Sequence, residues 1–94
     1  MDERLVPLIR DMNMTYANAC RQLVEEALDA LFETNADLTG WLYTREFFEL
    51  AGYYSVSGTD KYENIEYRAG ADYLRNKGYY QHRSVQGYRW KRMG

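Results

Sequence analysis

The chain has 94 residues, a single cysteine and a net charge of −2, which limit it to one small domain without an internal disulfide. No stretch approaches the roughly 20 consecutive apolar residues of a membrane-spanning helix, and the N-terminus has no apolar run of signal-peptide length. We therefore expect a cytoplasmic protein without a membrane partner.

The small net charge hides a bipolar distribution. Residues 1–52 contain four basic and ten acidic side chains, a net of −6, whereas residues 53–94 contain eight basic and four acidic ones, a net of +4. An acidic chain overall is unlike an indiscriminate polyanion binder, but the basic C-terminal half predicts a local surface suited to nucleic acid.

Residues 3–34 have apolar side chains at helical spacing, which predicts one long helix, assigned here to residues 1–35. Pro7 is tolerated only in the first turn of a helix, and Thr15 is a good N-cap, so either residue could begin or break it. We expect this helix to serve interaction or dimerisation. Its proposed contact residues are Leu5, Ile9, Met12 and Tyr16.

A second helix is predicted over Trp41–Ala51, with Thr44 as an alternative N-cap and Gly52 as a left-handed C-terminal cap. Residues 53–60 read as a loop or a short strand. Because this connection is short, the second helix and the next one resemble a helix-turn-helix with a lengthened turn.

A third helix is predicted over about Lys61–Lys77, capped by Thr59 or Asp60 and ended by Gly78. Its expected core face comprises Tyr67, Gly70, Ala71 and Leu74. Its polar stripe comprises Lys61, Asn64, Arg68, Asp72 and Arg75. Such a stripe can read a DNA groove, but ion pairs of Asp72 with its neighbours are also typical of an ordinary solvated face, and a buried Asp72 charge would weaken phosphate binding.

The C-terminal segment, residues 79–93, is predicted to form a β-hairpin that turns at Gln86–Gly87. Basic residues alternate with aromatic ones, a pattern typical of nucleic-acid binding. The same aromatic residues could instead pack the hairpin onto the third helix, which we favour for Trp90. For Arg83 and Arg89, near the turn, we favour nucleic-acid contact. A turn of two or three residues would change which face each strand residue occupies, and the sequence leaves this register open.

Three segments carry a resemblance to a known family. They are TREFFELAG at residues 44–52, ADYLRNKGY at 71–79 and VQGYRWKR at 85–92. Together they resemble winged-helix domains of bacterial, phage and mobile-element origin, above all the C-terminal winged helix of phage-type primase–helicase proteins. The resemblance implies an α+β, mostly α, winged helix-turn-helix: a long N-terminal helix, then a domain at residues 36–94 with two helices and a β-hairpin wing, in one compact unit.

The resemblance implies nucleic-acid binding through the third helix and the wing. The expected contact residues are Lys61, Asn64, Arg68, Arg75, Arg83, Arg89 and Lys91. The ligand would be DNA, single-stranded or duplex, and the protein a small regulator or replication accessory. The alternative is a protein-interaction module, such as a phage-encoded inhibitor of a host or defence protein, that dimerises or docks through its first helix.

The sequence offers no case for an enzyme. Cys20 lies among apolar residues and is expected in the core, and His82 has no neighbour at metal-ligand spacing. There is no glycine-rich phosphate loop and no nucleophile motif. We expect no cofactor and no metal.

Overall fold

The fold is taken from a computed structural model that describes residues 2–35, 38, 40–59 and 61–92. The described residues form four helices and three strands. In chain order these are α1 (Val6–Arg10), α2 (Tyr16–Thr34), β1 (Leu42–Tyr43), α3 (Thr44–Leu50), α4 (Asn64–Asn76), β2 (Tyr79–Ser84) and β3 (Gly87–Arg92). None of the helices in this part of the chain is long and apolar enough to cross a bilayer.

The predicted long N-terminal helix is wrong, because the chain breaks between α1 and α2. Asn13 adopts a left-handed backbone conformation with φ of 54°, which interrupts the helical path. The Thr15 hydroxyl then accepts a hydrogen bond from the Asn18 backbone N–H at 3.2 Å and starts α2. Both candidates therefore mark the start of a helix: Pro7 lies in the first turn of α1, which begins at Val6, and Thr15 is the N-cap of α2.

The break lets α1 fold back onto α2 and close a small apolar cluster. Leu5 and Leu8 pack there against Ala19 and Cys20, and all four side chains are buried. Cys20 is therefore a core residue, as predicted. Burial raises the pKa of its thiol.

A short strand that the sequence did not predict precedes α3. Leu42 pairs with Trp90 and Tyr43 with Arg89, so β1 joins the hairpin and gives an antiparallel sheet in the order β1-β3-β2. The predicted second helix accordingly begins at Thr44 and not at Trp41, and its N-cap is Tyr43, so the alternative of Thr44 as N-cap is wrong by one residue. The α+β fold class is confirmed at this level: helices packed on a three-stranded antiparallel sheet.

The third predicted helix begins later than expected, at Asn64. Thr59 does not cap it, because its hydroxyl accepts from the Lys61 N–H at 3.2 Å within the preceding turn. Asp60 lies outside the described residues. The Glu66 carboxylate instead accepts from the Glu63 backbone N–H at 2.8 Å, which closes the first turn of α4. Gly78, with φ of 89°, follows the helix at its other end, as predicted.

Glu66 is fully buried, and its carboxylate holds the loop after α3 against α4. Besides the Glu63 N–H, it accepts from the Tyr53 hydroxyl at 2.5 Å, the Ser55 hydroxyl at 2.6 Å and the Val56 N–H at 3.2 Å. Four donors around one carboxylate offset the loss of its hydration. The segment between α3 and α4 is thus a loop that is held by hydrogen bonds to the buried Glu66 carboxylate.

The main core lies between α2, α3, α4 and the sheet. Trp90 and Leu74 are completely buried in it, so the prediction that Trp90 packs internally is confirmed. The indole N–H of Trp90 donates to the Thr44 hydroxyl at 2.8 Å, which ties β3 to the start of α3. The sheet and the α3–α4 pair are therefore fixed relative to one another.

Candidate nucleic-acid interface

An open groove of about 860 Å³ runs between the exposed side of α4 and the tip of the β2–β3 hairpin. The start of α3 closes one end. Its lining is mainly polar and aromatic: Tyr43, Thr44, Arg45, Asn64, Tyr67, Arg68, Ala71, Asp72, Arg75, Gln81, Gln86, Gly87 and Tyr88.

The position of α4 beside this groove depends on a close approach to α3. A Cβ atom at Gly70 would lie 2.7 Å from Cζ of Phe48 and 3.0 Å from Cγ2 of Thr44. Only glycine therefore fits at this crossing without displacing its neighbours. With Gly70 facing α3, Arg68 and Asn64 face outward on α4.

Asn64 and Arg68 are the two groove-lining residues of α4 whose polar side chains are exposed and without a partner among the described residues. Both are exposed. Within the described ranges, neither side chain makes an ion pair or a side-chain hydrogen bond, so both retain their full hydrogen-bonding capacity for a ligand.

Arg75 also lines the groove, but it is held by its neighbours. Its guanidinium donates from Nη1 to Asp72 at 3.0 Å and from Nη2 to Gln81 Oε1 at 3.1 Å, and it lies 5.9 Å from the ring centroid of Trp90. Arg75 thus links α4 to β2 across the floor of the groove. It is a preorganised cation rather than a free one.

Asp72 is not the buried charge that the sequence suggested. Its side chain is 42% exposed and pairs with Arg21 at 2.9 Å as well as with Arg75, while Arg68 is not among its partners. The hydrogen bond from Arg21 is the main reason that the pKa of Asp72 lies below its ordinary value. One carboxylate between two guanidiniums leaves the local charge positive.

The register of the hairpin is now fixed by its turn. Ser84 pairs with Gly87, so the turn residues are Val85–Gln86, one position earlier than predicted. Arg83 pairs with Tyr88 and shares a face with Trp90, the face toward α4. Arg89 lies on the opposite face because side chains alternate along a strand.

The seven predicted contact residues therefore do not form one surface. Asn64, Arg68 and Arg75 line the groove, and Arg83 lies on the groove side of the hairpin without lining it. The prediction of a single surface fails for the remaining three. Arg89 and Lys91 lie on the far face of the sheet, and Lys61 precedes α4 in a separate depression beside Tyr54.

Sequence reasoning missed several groove residues. Arg45, at the start of α3, was absent from the predicted set, and so were Gln81 and Tyr88 from the hairpin. Gln81 and Tyr88 could be assigned to the groove only once the register of the hairpin was known. Arg45 had a sequence signal, because it follows the N-cap candidate of a helix expected beside the third one.

The predicted partner surface on the first helix is also altered. Leu5 is 1% exposed and packs inside the chain, so its assignment as a partner contact is wrong. Ile9 is half-buried, whereas Met12 and Tyr16 remain 57% and 43% exposed. The Tyr16 hydroxyl donates to Glu63 at 3.0 Å and so contacts the start of α4.

No group of metal-ligating side chains occurs among the described residues. Comparisons of the chain with known protein families, with characterised proteins and with solved structures gave no match. Its function must therefore be argued from the groove and the surfaces around it.

Proposed function

We propose that the chain is a winged helix-turn-helix domain that binds duplex DNA. In this proposal α4 enters the major groove and the β2–β3 hairpin is the wing. From α2 onward, the order helix, strand, helix, helix, strand, strand supports it, as does the sheet order β1-β3-β2, which brings the hairpin alongside the exposed side of α4.

The single observation that carries the proposal is the pair of uncommitted side chains on α4. Asn64 and Arg68 lie four residues apart, one helical turn, and point away from the core. An asparagine can pair with both N6 and N7 of adenine, and an arginine with O6 and N7 of guanine. The 13 residues of α4 give about 20 Å of helix, enough to lie within a major groove about 12 Å wide.

The charges around these two residues favour phosphate. Arg75 is held at the groove floor, and Asp72, the one acidic residue among those that line the groove, is already shared between two guanidiniums. Arg45 lines the far end, with Glu49 3.5 Å away as an exposed partner. Exposed pairs of this kind contribute little, so Arg45 can exchange Glu49 for a phosphate at low cost.

The test is fluorescence anisotropy of labelled duplex DNA titrated with the full chain at about 50 and 200 mM salt. We expect Arg68→Ala to weaken binding by about fivefold or more, and Asn64→Ala to weaken it for the preferred sequence alone. Arg10→Ala removes an exposed arginine of α1 that is not among the residues lining the groove, and it serves as the matched control.

Two results would contradict the proposal. One is the absence of duplex binding by the unaltered protein at the lower salt concentration. The other is an equal loss of affinity in Arg68→Ala and Arg10→Ala, which would indicate attraction by overall charge and not by the groove.

A further inference from the structure

The face of the sheet that points away from α4 carries a second cluster of aromatic and basic side chains. This outer sheet face comprises Trp41, Tyr80, His82, Arg89 and Lys91. The strand pairings bring them together, because Tyr80 is opposite Lys91 and His82 is opposite Arg89 on that side. Trp41, immediately before β1, lies over them.

Trp41 is the centre of the cluster. The guanidinium carbon of Arg89 is 5.3 Å and the Lys91 ammonium 5.9 Å from its ring centroid. The rings of Tyr80 and His82 meet it edge-on at 6.1 and 5.7 Å. These contacts orient Trp41 on the sheet without covering it.

The aromatic rings of this face remain open to solvent. Trp41 is 39% and Tyr80 51% exposed, whereas the other tryptophan, Trp90, is fully buried on the opposite side of the same sheet. Trp41 therefore keeps aromatic surface that a base could contact, whereas Trp90 has none.

The charge of this face suits a polyanion. The three strands contain no acidic residue, and within the described ranges Arg89 and Lys91 make no ion pair with a carboxylate. Nε of Arg89 is shielded from solvent and finds no acceptor among the described residues. Lys91 is exposed and Arg89 is partly exposed, so a phosphate can approach this pair of cations.

We infer that the outer sheet face binds single-stranded DNA, with bases stacking on Trp41 and Tyr80 and phosphates held by Arg89 and Lys91. Stacking requires bases that are not already paired, which selects a single strand over a duplex. The site is separate from the groove on α4 and does not require duplex binding there. Only the choice of DNA over RNA rests on the proposed function.

The experiment titrates the full chain into a labelled oligothymidylate of about 15 nucleotides and, in parallel, into labelled duplex DNA. Trp41→Ala and Tyr80→Ala should each weaken oligothymidylate binding by about fivefold or more and leave duplex binding unchanged. Tyr54→Ala is the matched control, because Tyr54 is 77% exposed but lies on the loop after α3, outside the sheet. Circular dichroism of each variant establishes that it is folded.

Tryptophan fluorescence gives a readout that a purely structural role would not move. Oligothymidylate should quench the emission of the unaltered protein through Trp41. In Trp41→Phe, which keeps an aromatic ring, the oligonucleotide should still bind, but the emission of buried Trp90 should stay constant.

Several outcomes would overturn the inference, and they differ from failure of the groove proposal. If Tyr80→Ala and Tyr54→Ala bind oligothymidylate with equal affinity, the outer sheet face is not the single-strand site, even if duplex binding persists. Loss of single-strand binding in Arg68→Ala would place both ligands in the groove. Tighter binding of an oligouridylate of equal length would show that the ligand is RNA and not DNA. Binding of neither oligonucleotide would exclude the site.

Discussion

The 13 residues of α4 form two faces that differ in their contacts: one packs in the core and the other is exposed. The inner face contains Glu66, Ala69, Gly70 and Leu74, all buried, and each contact there has a defined partner. The outer face contains Asn64 and Arg68, exposed and without partners among the described side chains. The chain thus holds one side of the helix tightly and leaves the other side available.

This difference teaches where each kind of substitution should act. Changes on the inner face should lower the free energy of unfolding, while changes on the outer face should alter ligand binding and leave stability within about 0.5 kcal/mol. The predictions below test that separation, beginning with the largest expected effect.

Replacing Glu66 by Ala should have the largest effect. The substitution leaves the Tyr53 and Ser55 hydroxyls and two backbone N–H groups without their acceptor in a buried site. We expect the free energy of unfolding to fall by about 3 kcal/mol or more, measured by urea denaturation. Glu33→Ala, an exposed acid on α2, is the control and should change it by less than about 0.5 kcal/mol. Similar effects of the two substitutions would mean that the buried carboxylate is dispensable.

Replacing Gly70 by Ala should destabilise the chain although alanine is the better helix former. The new methyl would lie 2.7 Å from Phe48, whose ring is buried and packed against the rings of Tyr53, Tyr62 and Tyr67 and so cannot withdraw. Overpacking of this kind costs about 1–3 kcal/mol, against about 1 kcal/mol gained in helix propensity.

A double-mutant cycle tests the cause of that loss. If the clash with Phe48 is responsible, Gly70→Ala should cost less in a Phe48→Leu background, where urea denaturation gives the coupling free energy. A Gly70→Ala protein more stable than the original would show that the helix crossing is looser than the structure indicates.

Asp72→Asn should give the smallest effect, and one that depends on pH. The folded-state pKa of Asp72 is lowered, chiefly by Arg21, so its ion pairs contribute stability above the ordinary Asp pKa and lose it as pH falls through the folded-state value. The unfolding free energies of the original and Asp72→Asn proteins should therefore differ by less than about 1 kcal/mol near pH 7, and by less than that at an acid pH below the ordinary Asp value of 3.8. For Arg68→Ala the difference should stay near zero at both pH values. A gap for Asp72→Asn that widens in acid would contradict the assigned ion pairs.

Much of the fold followed from local signals. Gly78 ends α4, and the basic segment after it forms a hairpin, as the glycine and the glycine-containing turn region predicted, although the turn itself is Val85–Gln86 and not Gln86–Gly87. Gly70 and Leu74 are buried as the helical period required, whereas Tyr67 and Ala71 of the same predicted core face are only partly buried and line the groove. These features depend on neighbours in sequence, which is the information that periodicity contains.

The errors arose where a tertiary contact decided between local alternatives. The apolar period runs through residues 11–15, yet α1 gains more by folding back to bury Leu5 and Leu8 than by extending α2. Two-residue β1 is too short to show a pattern, and its pairing with Trp90 is a contact across 48 positions of sequence. The sequence did not indicate the buried role of Glu66, because its four donors come from a loop whose path the sequence does not specify.

The candidate site was predicted in its residue types but not in its geometry. Asn64, Arg68 and Arg75 follow from the helical stripe and do line one groove. Arg89 and Lys91 were predicted to share the same contact surface because basic residues cluster in the hairpin sequence. Strand alternation separates them, and only a known turn length reveals it.

The buried thiol of Cys20 also allows the opening rate of the N-terminal segment to be measured. It is the one cysteine of the chain and is 0% exposed beneath Leu5 and Leu8. A thiol-reactive dye can reach it only when α1 lifts from α2 or the whole chain unfolds, and urea dependence distinguishes these two routes. The rate at which the native protein takes up the label therefore reports how often its first helix opens, without any engineered probe.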